Sequence, residues 1–243
     1  KYVQSDVRGL FKKVKNDLKI GKTVLFIGTP CQVAGLKNYI GHHNEHLYLV
    51  DLICHGVPSK QMLHEHIKHV AKGKKNQHIS FRKGTDYRFS ITANKFSYEV
   101  SLWETPYKDL YLKGFFEGMI NRPSCYQCPF ACSTRVSDIT IGDFWGLKHA
   151  ECLPEEVKDG VSLLLPMTDK GLNLIQKVEN NLYIYERSVE EAVNGNTQLR
   201  HPVIQGRRAR LFHFLYSLFS FDVAMKIVIA DHKAIWKFKQ RSL

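Results

Sequence analysis

VLFIGTPCQVAGLKNYI at 24–40 and LYLVDLICHG at 47–56 decide the fold. VLFIG is a short, uninterrupted apolar run, which predicts a strand buried on both faces, the habit of parallel sheets. Thr29 then supplies an N-cap side chain. Pro30 takes the first helical position, where its missing N–H costs nothing, so QVAGLKNYI reads as a helix. LYLVDLICHG predicts a second buried strand. Pro58 and Ser59 open another helical stretch, KQMLHEHIKHV. Strand, helix, strand, helix in this order predicts a βαβα unit with parallel strands.

Upstream, residues 6–19 carry Val7, Leu10, Phe11, Val14 and Leu18 at helical spacing, and Gly21 ends the run. Downstream the period changes. HISFRK, YRFSITA and KFSYEVSLW within 78–103 alternate as strands, broken at Gly84-Thr85-Asp86 and Asn94-Lys95, and predict an antiparallel β insertion. A helix at 107–120 leads to the loop NRPSCYQCPFACSTRVS. Strands are expected at 138–146, 160–167 and 181–188, and helices at 168–181 and 188–196. The expected fold is an α/β domain over 1–200 with a mainly parallel sheet, the insertion at about 78–103, and a helical C-terminal tail at 201–243. The run at 211–230 has the length of a membrane span, but His213, Asp222 and Lys226 interrupt it. It reads as a helix pair packed on the domain or on a partner, with no integral membrane span.

Hydrophobic residues make up 44% of the 243 positions and charged residues 24%, an ordinary balance for a chain that buries a core. The chain starts at Lys1 and shows no signal peptide, which reads as a cytoplasmic protein lacking its N-terminal part. Its net charge is +12. The basic residues are spread out, with concentrations at Lys72–Lys75 and Arg207–Arg210. Neither interleaves aromatics nor sits in a recognition-helix motif, so no nucleic-acid partner is expected. Solvated surface is the plain reading, and docking of an acidic partner or cofactor phosphates is the functional one.

Six cysteines are too few for a disulfide scaffold in a chain of this length. Cys31 falls in the first turn of the helix after the first strand, and Cys54 at the end of the second strand. In a parallel sheet both lie on the edge where ligands bind, and neighbouring strands run about 5 Å apart. Cys125 and Cys128 form a Cys-x-x-Cys pair that reaches one centre from a tight loop, stiffened by Pro123 and Pro129. Four thiolates suit a [4Fe–4S] cluster, whose ligated core is an anion that the helix N-terminus beside Cys31 would offset. Other readings stand beside this one. The same thiolates suit a zinc site in a binding module with a basic surface. Cys31 at a helix start suits a nucleophile of lowered pKa, and Cys31 and Cys54 suit plain buried cysteines. Cys132 would give the loop a third thiolate, but no second Cys-x-x-Cys precedes it; Cys152 has no partner in sequence, and both read as non-ligands. The histidines at 42, 43, 46, 64, 66 and 69 read as solvated, since none of the three in the helix are four apart.

KYVQS at 1–5, GKTVLFIGTPCQVAGL at 21–36, DLICHGVPS at 51–59, RPSCYQCPF at 122–130 and RVSDITIGDFWG at 135–146 together resemble the C-terminal region of the coenzyme F420 hydrogenase/dehydrogenase beta-subunit family. The resemblance implies an iron–sulfur flavoprotein oxidoreductase passing electrons between FAD, a [4Fe–4S] cluster and a hydride carrier, coenzyme F420 or another donor. It implies Cys31, Cys54, Cys125 and Cys128 as cluster ligands, and a redox partner protein or ferredoxin-type domain. Lys1, Ser5, Gly28, Thr29 and Asp143 are candidate flavin contacts. Arg122 and Arg135 flank the cysteine loop and would screen cluster charge or bind phosphate. Asp138 and Trp145 would orient the loop, touch flavin or, for the aspartate, cap the next turn.

Overall fold

The computed structural model describes residues 3–75, 77–81, 88–102, 108–147 and 160–230. The chain divides into two compact units. One is Ser5–His55 with Gln127–Pro202; the other is Lys1–Gln4, Gly56–Tyr126 and Val203–Leu243. No helix among the described residues is long and apolar enough to cross a membrane.

The first unit holds a four-stranded sheet in the order β1 (Val24–Gly28), β2 (Leu47–Leu52), β6 (Ile139–Asp143), β7 (Ser162–Pro166). β1 pairs with β2 and β2 with β6 in parallel, while β7 runs antiparallel to β6. The mainly parallel α/β sheet expected from the sequence is therefore present. Helix α1 (Leu10–Lys19) starts later than its apolar spacing predicts, because Gly9 turns left-handed at φ 76°. Helix α2 (Pro30–Ile40) starts at the predicted proline: Gln32 Oε1 accepts from the Thr29 N–H at 3.0 Å, one half of a capping box. Helix α5 (Asp169–Gln176) follows β7, and Thr168 caps it by accepting from the Gly171 N–H at 3.1 Å. Val14, Leu18, Phe26, Val33, Leu36, Ile40, Leu47 and Leu49 form the core beneath α1 and α2.

Two expectations fail here. β1 is an edge strand, and Leu25 and Ile27 are each 54% exposed, so it is not buried on both faces. An apolar run shows that a strand is tolerated inside, not that both its faces are covered. The strand expected at 181–188 is absent: residues 183–188 have no place in either sheet, and Tyr183 is 87% exposed. Their β-branched and aromatic composition favours a strand only beside a pairing neighbour, and among the described residues no strand pairs with them.

The second unit contains the antiparallel sheet β3 (His78–Ser80), β4 (Arg88–Ala93), β5 (Phe96–Ser101). The β4–β5 hairpin turns at Asn94-Lys95 as predicted, with Lys95 left-handed at φ 52°. The expected break at Gly84-Thr85-Asp86 lies outside the described residues. Phe89 and Ile91 from β4 meet Met62, Leu63 and Ile67 from α3 (Lys60–Val70) and Tyr111 and Leu112 from α4 (Leu110–Phe116). Helix α3 thus belongs to this unit's core. The tail packs here too. Phe212 of α7 (Arg207–Tyr216) and Phe221 and Met225 of the helical residues 221–230 are wholly buried.

One side chain in this core departs from its expected solvation. His66 is 2% exposed; its Nε2 lies 2.7 Å from Asp109 Oδ2 and its Nδ1 2.8 Å from Asp222 Oδ1. Tyr98 donates its hydroxyl to Asp109 Oδ2 at 2.9 Å, and Asp109 Oδ1 caps α4 through the Leu112 N–H. The ring lies between Phe89 and Tyr111, with Phe221 edge-on. Burial opposes charge on the imidazole, but the two carboxylates outweigh it and raise the pKa to about 9. An imidazolium donates from both nitrogens and so satisfies both carboxylates at once.

Candidate functional site

The parallel register puts Cys31 and Cys54 at equivalent places. Gly28 of β1 pairs with Asp51 of β2, and each cysteine stands three residues further along its chain, past the carboxyl end of its strand. Cys31 is exposed in the first turn of α2, with Thr29 Oγ1 3.2 Å from its sulfur. Cys54 is half-buried. Gly28 admits no side chain easily, because a Cβ would stand 3.1–3.3 Å from Phe26 and Gln32. The close packing of the strand end against the cap accounts for that glycine.

The cysteine loop begins in the second unit and ends in the first. Residues Pro123–Gln127 form a single 3-10 turn in which the Cys125 N–H donates to the Arg122 carbonyl at 2.9 Å. Tyr126 is buried and donates its hydroxyl to the Gly118 carbonyl at 2.8 Å. Cys128 is half-buried in the first unit, and its carbonyl accepts from the Ala131 N–H at 3.4 Å. Cys132 turns its sulfur to the Thr134 carbonyl at 3.0 Å. None of Cys31, Cys54, Cys125, Cys128 and Cys132 takes part in a disulfide. Cys152 lies outside the described residues.

Beneath the first-unit part of this loop lies a buried cation. The Arg135 side chain is 1% exposed and that of Asp51 is fully buried; Arg135 Nη2 is 3.0 Å from Asp51 Oδ1. The guanidinium also donates to the Leu52 carbonyl at 3.0 Å and the Phe130 carbonyl at 2.6 Å, with the Cys132 carbonyl at 3.5 Å. Thr140 donates to Asp51 Oδ1 at 2.7 Å. Sequence reasoning places Arg135 beside the loop but misses Asp51 and Thr140. A charged residue inside the apolar run LYLVDLICHG is the available signal, because a buried carboxylate requires a partner.

The remaining candidates fall as follows. Lys1 lies outside the described residues. Ser5 accepts from Gln32 Nε2 through its carbonyl at 3.2 Å and its hydroxyl at 3.3 Å. Asp143 ends β6, exposed and paired in register with Ser162. Asp138 stands just ahead of β6 and ties distant segments together, not the next turn. It accepts from the Leu49 N–H and the Thr168 hydroxyl, each at 2.8 Å, and Lys170 stands 3.5 Å away. Trp145 is 41% exposed. Arg122 reaches Gln4 within the second unit. Among the described residues no three of His, Cys, Asp and Glu gather closely enough to hold a single metal ion. A groove of about 350 Å³ lies between Leu10 and Val14 of α1 and Leu25 and Ile27 of β1, with no cysteine in its lining.

Comparison with known proteins supplies a family. The family model describing the C terminus of the coenzyme F420 hydrogenase/dehydrogenase beta subunit matches residues 21–192. That stretch covers β1 to α6 (Val189–Gly195), Cys31, Cys54, the cysteine loop and the Asp51–Arg135 pair. No curated protein matches the chain. Among solved structures it is similar to a chain of the F420-reducing [NiFe] hydrogenase complex from Methanosarcina barkeri, studied by xenon derivatization. The two are 15% identical with a TM-score of 0.41, and the match covers 81% of this chain and 66% of that one. The match of the family model over most of its length shows that this chain belongs to the coenzyme F420 hydrogenase/dehydrogenase beta-subunit family, in its C-terminal region.

Proposed function

We propose that this chain is the cluster-bearing part of an iron–sulfur flavoprotein oxidoreductase, with Cys31, Cys54, Cys125 and Cys128 holding one [4Fe–4S] cluster. The observation that carries the reading is the register. Cys31 and Cys54 stand three residues past paired positions on adjacent parallel strands, and the loop with Cys128 is hydrogen-bonded through Arg135 to the end of β2. Cys125 precedes Cys128 by three residues, so the chain itself keeps the two within about 10 Å. The donor set fits the group: thiolates select iron–sulfur clusters over harder cations. The N–H groups opening α2 and the buried guanidinium suit an anionic core.

Bound FAD would supply hydride chemistry, and the cluster single-electron passage. The chain's own residues bind, orient and neutralise. Thr29, Gly28, Ser5 and Asp143 border the carboxyl ends of the strands or the cap of α2 and are the proposed flavin contacts, as is Lys1, which lies outside the described residues. Coenzyme F420 or another hydride donor, and a redox partner protein or ferredoxin-type domain, complete the electron path.

Anaerobic purification with iron, acid-labile sulfide, zinc and flavin analysis tests this. Iron and sulfide in equal amounts, with broad absorption near about 400 nm, are expected. Stoichiometric zinc without sulfide would replace the proposal with a structural zinc site. Activity abolished by alkylation of Cys31 alone, in protein free of iron, would replace it with a nucleophile.

A further inference from the structure

We infer that the buried Arg135–Asp51 pair is a positioning device for the cysteine loop, and that it sets the charge the loop's metal centre would experience. The inference rests on the proposed cluster for its electrostatic half only. Its geometric half stands on hydrogen bonds within one unit.

Arg135 contacts three carbonyls and one carboxylate, from two stretches of chain far apart in sequence. Phe130 and Cys132 lie two and four residues beyond Cys128, and Leu52 lies two before Cys54. A planar guanidinium with five donors in a fixed fork spans such an array, and an ammonium does not. Arg135 Nε, 3.3 Å from both Asp51 Oδ1 and Thr140 Oγ1, completes the set. Asp51 cannot be an ordinary strand residue, since its side chain is fully buried and its Oδ1 also accepts from Thr140. Its other oxygen, Oδ2, is buried with no hydrogen-bond partner among the described residues. The carboxylate is thus held by Arg135 and Thr140 from one side. A buried pair of this kind is weak as a source of stability but strongly specifies geometry, because breaking it leaves an uncompensated charge.

Two consequences follow. Weakening the pair should loosen the segment after Cys128 while leaving α2 and Cys31 as they are. It should also change the field at the loop with opposite signs: loss of the guanidinium leaves Asp51 negative, and loss of the carboxylate leaves Arg135 positive. A cluster gains negative charge on reduction, so the first change lowers its potential and the second raises it.

The test uses the whole chain with Arg135→Lys, Arg135→Gln, Asp51→Asn and the milder Thr140→Val, which removes one hydroxyl from the network. In metal-free protein, the rate of iodoacetamide reaction at each cysteine is read by mass spectrometry. Cys128 and Cys132 should react about tenfold faster in Arg135→Lys, the effect of losing one hydrogen bond to a charged group, and less so in Thr140→Val. Cys31 should keep its wild-type rate. A rise at Cys31 as well would mean general unfolding in that variant, and Thr140→Val then decides alone. Unchanged rates at Cys128 and Cys132 in Thr140→Val and in every folded variant overturn the positioning role. In cluster-loaded protein, midpoint potentials should fall in Arg135→Gln and rise in Asp51→Asn. Shifts of the same sign overturn the electrostatic role. Failure of wild-type protein to take up iron and sulfide would sink the proposed function and the electrostatic half together. The alkylation result would still decide the positioning half.

Discussion

Raising the pH should unpin the core of the second unit through His66. Its imidazole, enclosed by Asp109 and Asp222, has a pKa of about 9 against an ordinary 6.5. That difference is worth roughly 3 kcal/mol, at about 1.4 kcal/mol per tenfold change in proton affinity. The sign follows from the folded pKa lying above the unfolded one. The stabilisation is fully present below pH 6.5 and is lost as the pH rises through about 9. Above that, a neutral ring has one N–H for two buried carboxylates, and one of them loses the bond from His66. Tyr98, which donates to Asp109, and Tyr111 both have hydroxyl pKa values pushed well up by burial, so neither ionises first. Urea unfolding followed by circular dichroism, at intervals from pH 6 to 10, reads the effect. Asp222→Asn is the comparison, because it removes one of the two carboxylates that hold the proton. Lysines and exposed tyrosines titrate alike in both proteins and cancel. Wild type should lose its advantage over the variant between pH 7 and 10, by an amount of order 1–3 kcal/mol. Parallel curves, or a wild-type advantage that grows with pH, would refute the account.

Other consequences concern single positions. Serine at Cys128 should lower the iron content of reconstituted protein, whereas serine at Cys132 should leave it unchanged; the opposite pattern would reassign the ligands. Gly195→Ala would place a Cβ 1.7 Å from the Trp145 carbonyl oxygen, so α6 or the end of β6 must shift. A loss of about 2 kcal/mol or more in urea unfolding is expected. Asp138→Ala leaves the buried Leu49 N–H without its side-chain acceptor and takes the carboxylate from Lys170, which keeps the Leu47 carbonyl at 2.6 Å. It should cost about 1–3 kcal/mol, readable as a lower urea midpoint.

The parallel strands were legible because VLFIG, LYLVDL and DITIGD are short apolar runs followed at once by helix-capping or turn residues. The Thr29-Pro30 start and the Asn94-Lys95 turn were legible for similar reasons: local backbone chemistry fixes them, whatever surrounds them. Which face of β1 is covered was not, since edge position depends on the order of strands in the sheet. The fate of α3 was also hidden. Its stripe of Met62, Leu63 and Ile67 announces burial but not the surface it will bury against. At the site, the sequence offered the cysteines by spacing. It held no means of joining Arg135 to Asp51, which lie 84 residues apart. Nor could it show that His66 would leave solvent for two carboxylates, one of them 156 residues away. Charged residues within apolar stretches, Asp51 in its strand and Asp222 in its helix, were in both cases the visible trace of such a partner.

The alternation of the two units along the chain has a consequence for how the protein is made. The second unit's hydrophobic core needs Phe212, Phe221 and Met225, which follow Pro202. The first unit's sheet cannot close until β6, whose Ile139 pairs with Val50. A nascent chain released from the ribosome only as far as residue 200 would therefore hold a finished sheet and an unfinished neighbour. The β3–β4–β5 meander, all short-range pairings, would form early and wait with one apolar face uncovered. Stop codons or proteolytic nicks near Pro202 would not trim an appendage; they would leave that face open to chaperones and to aggregation.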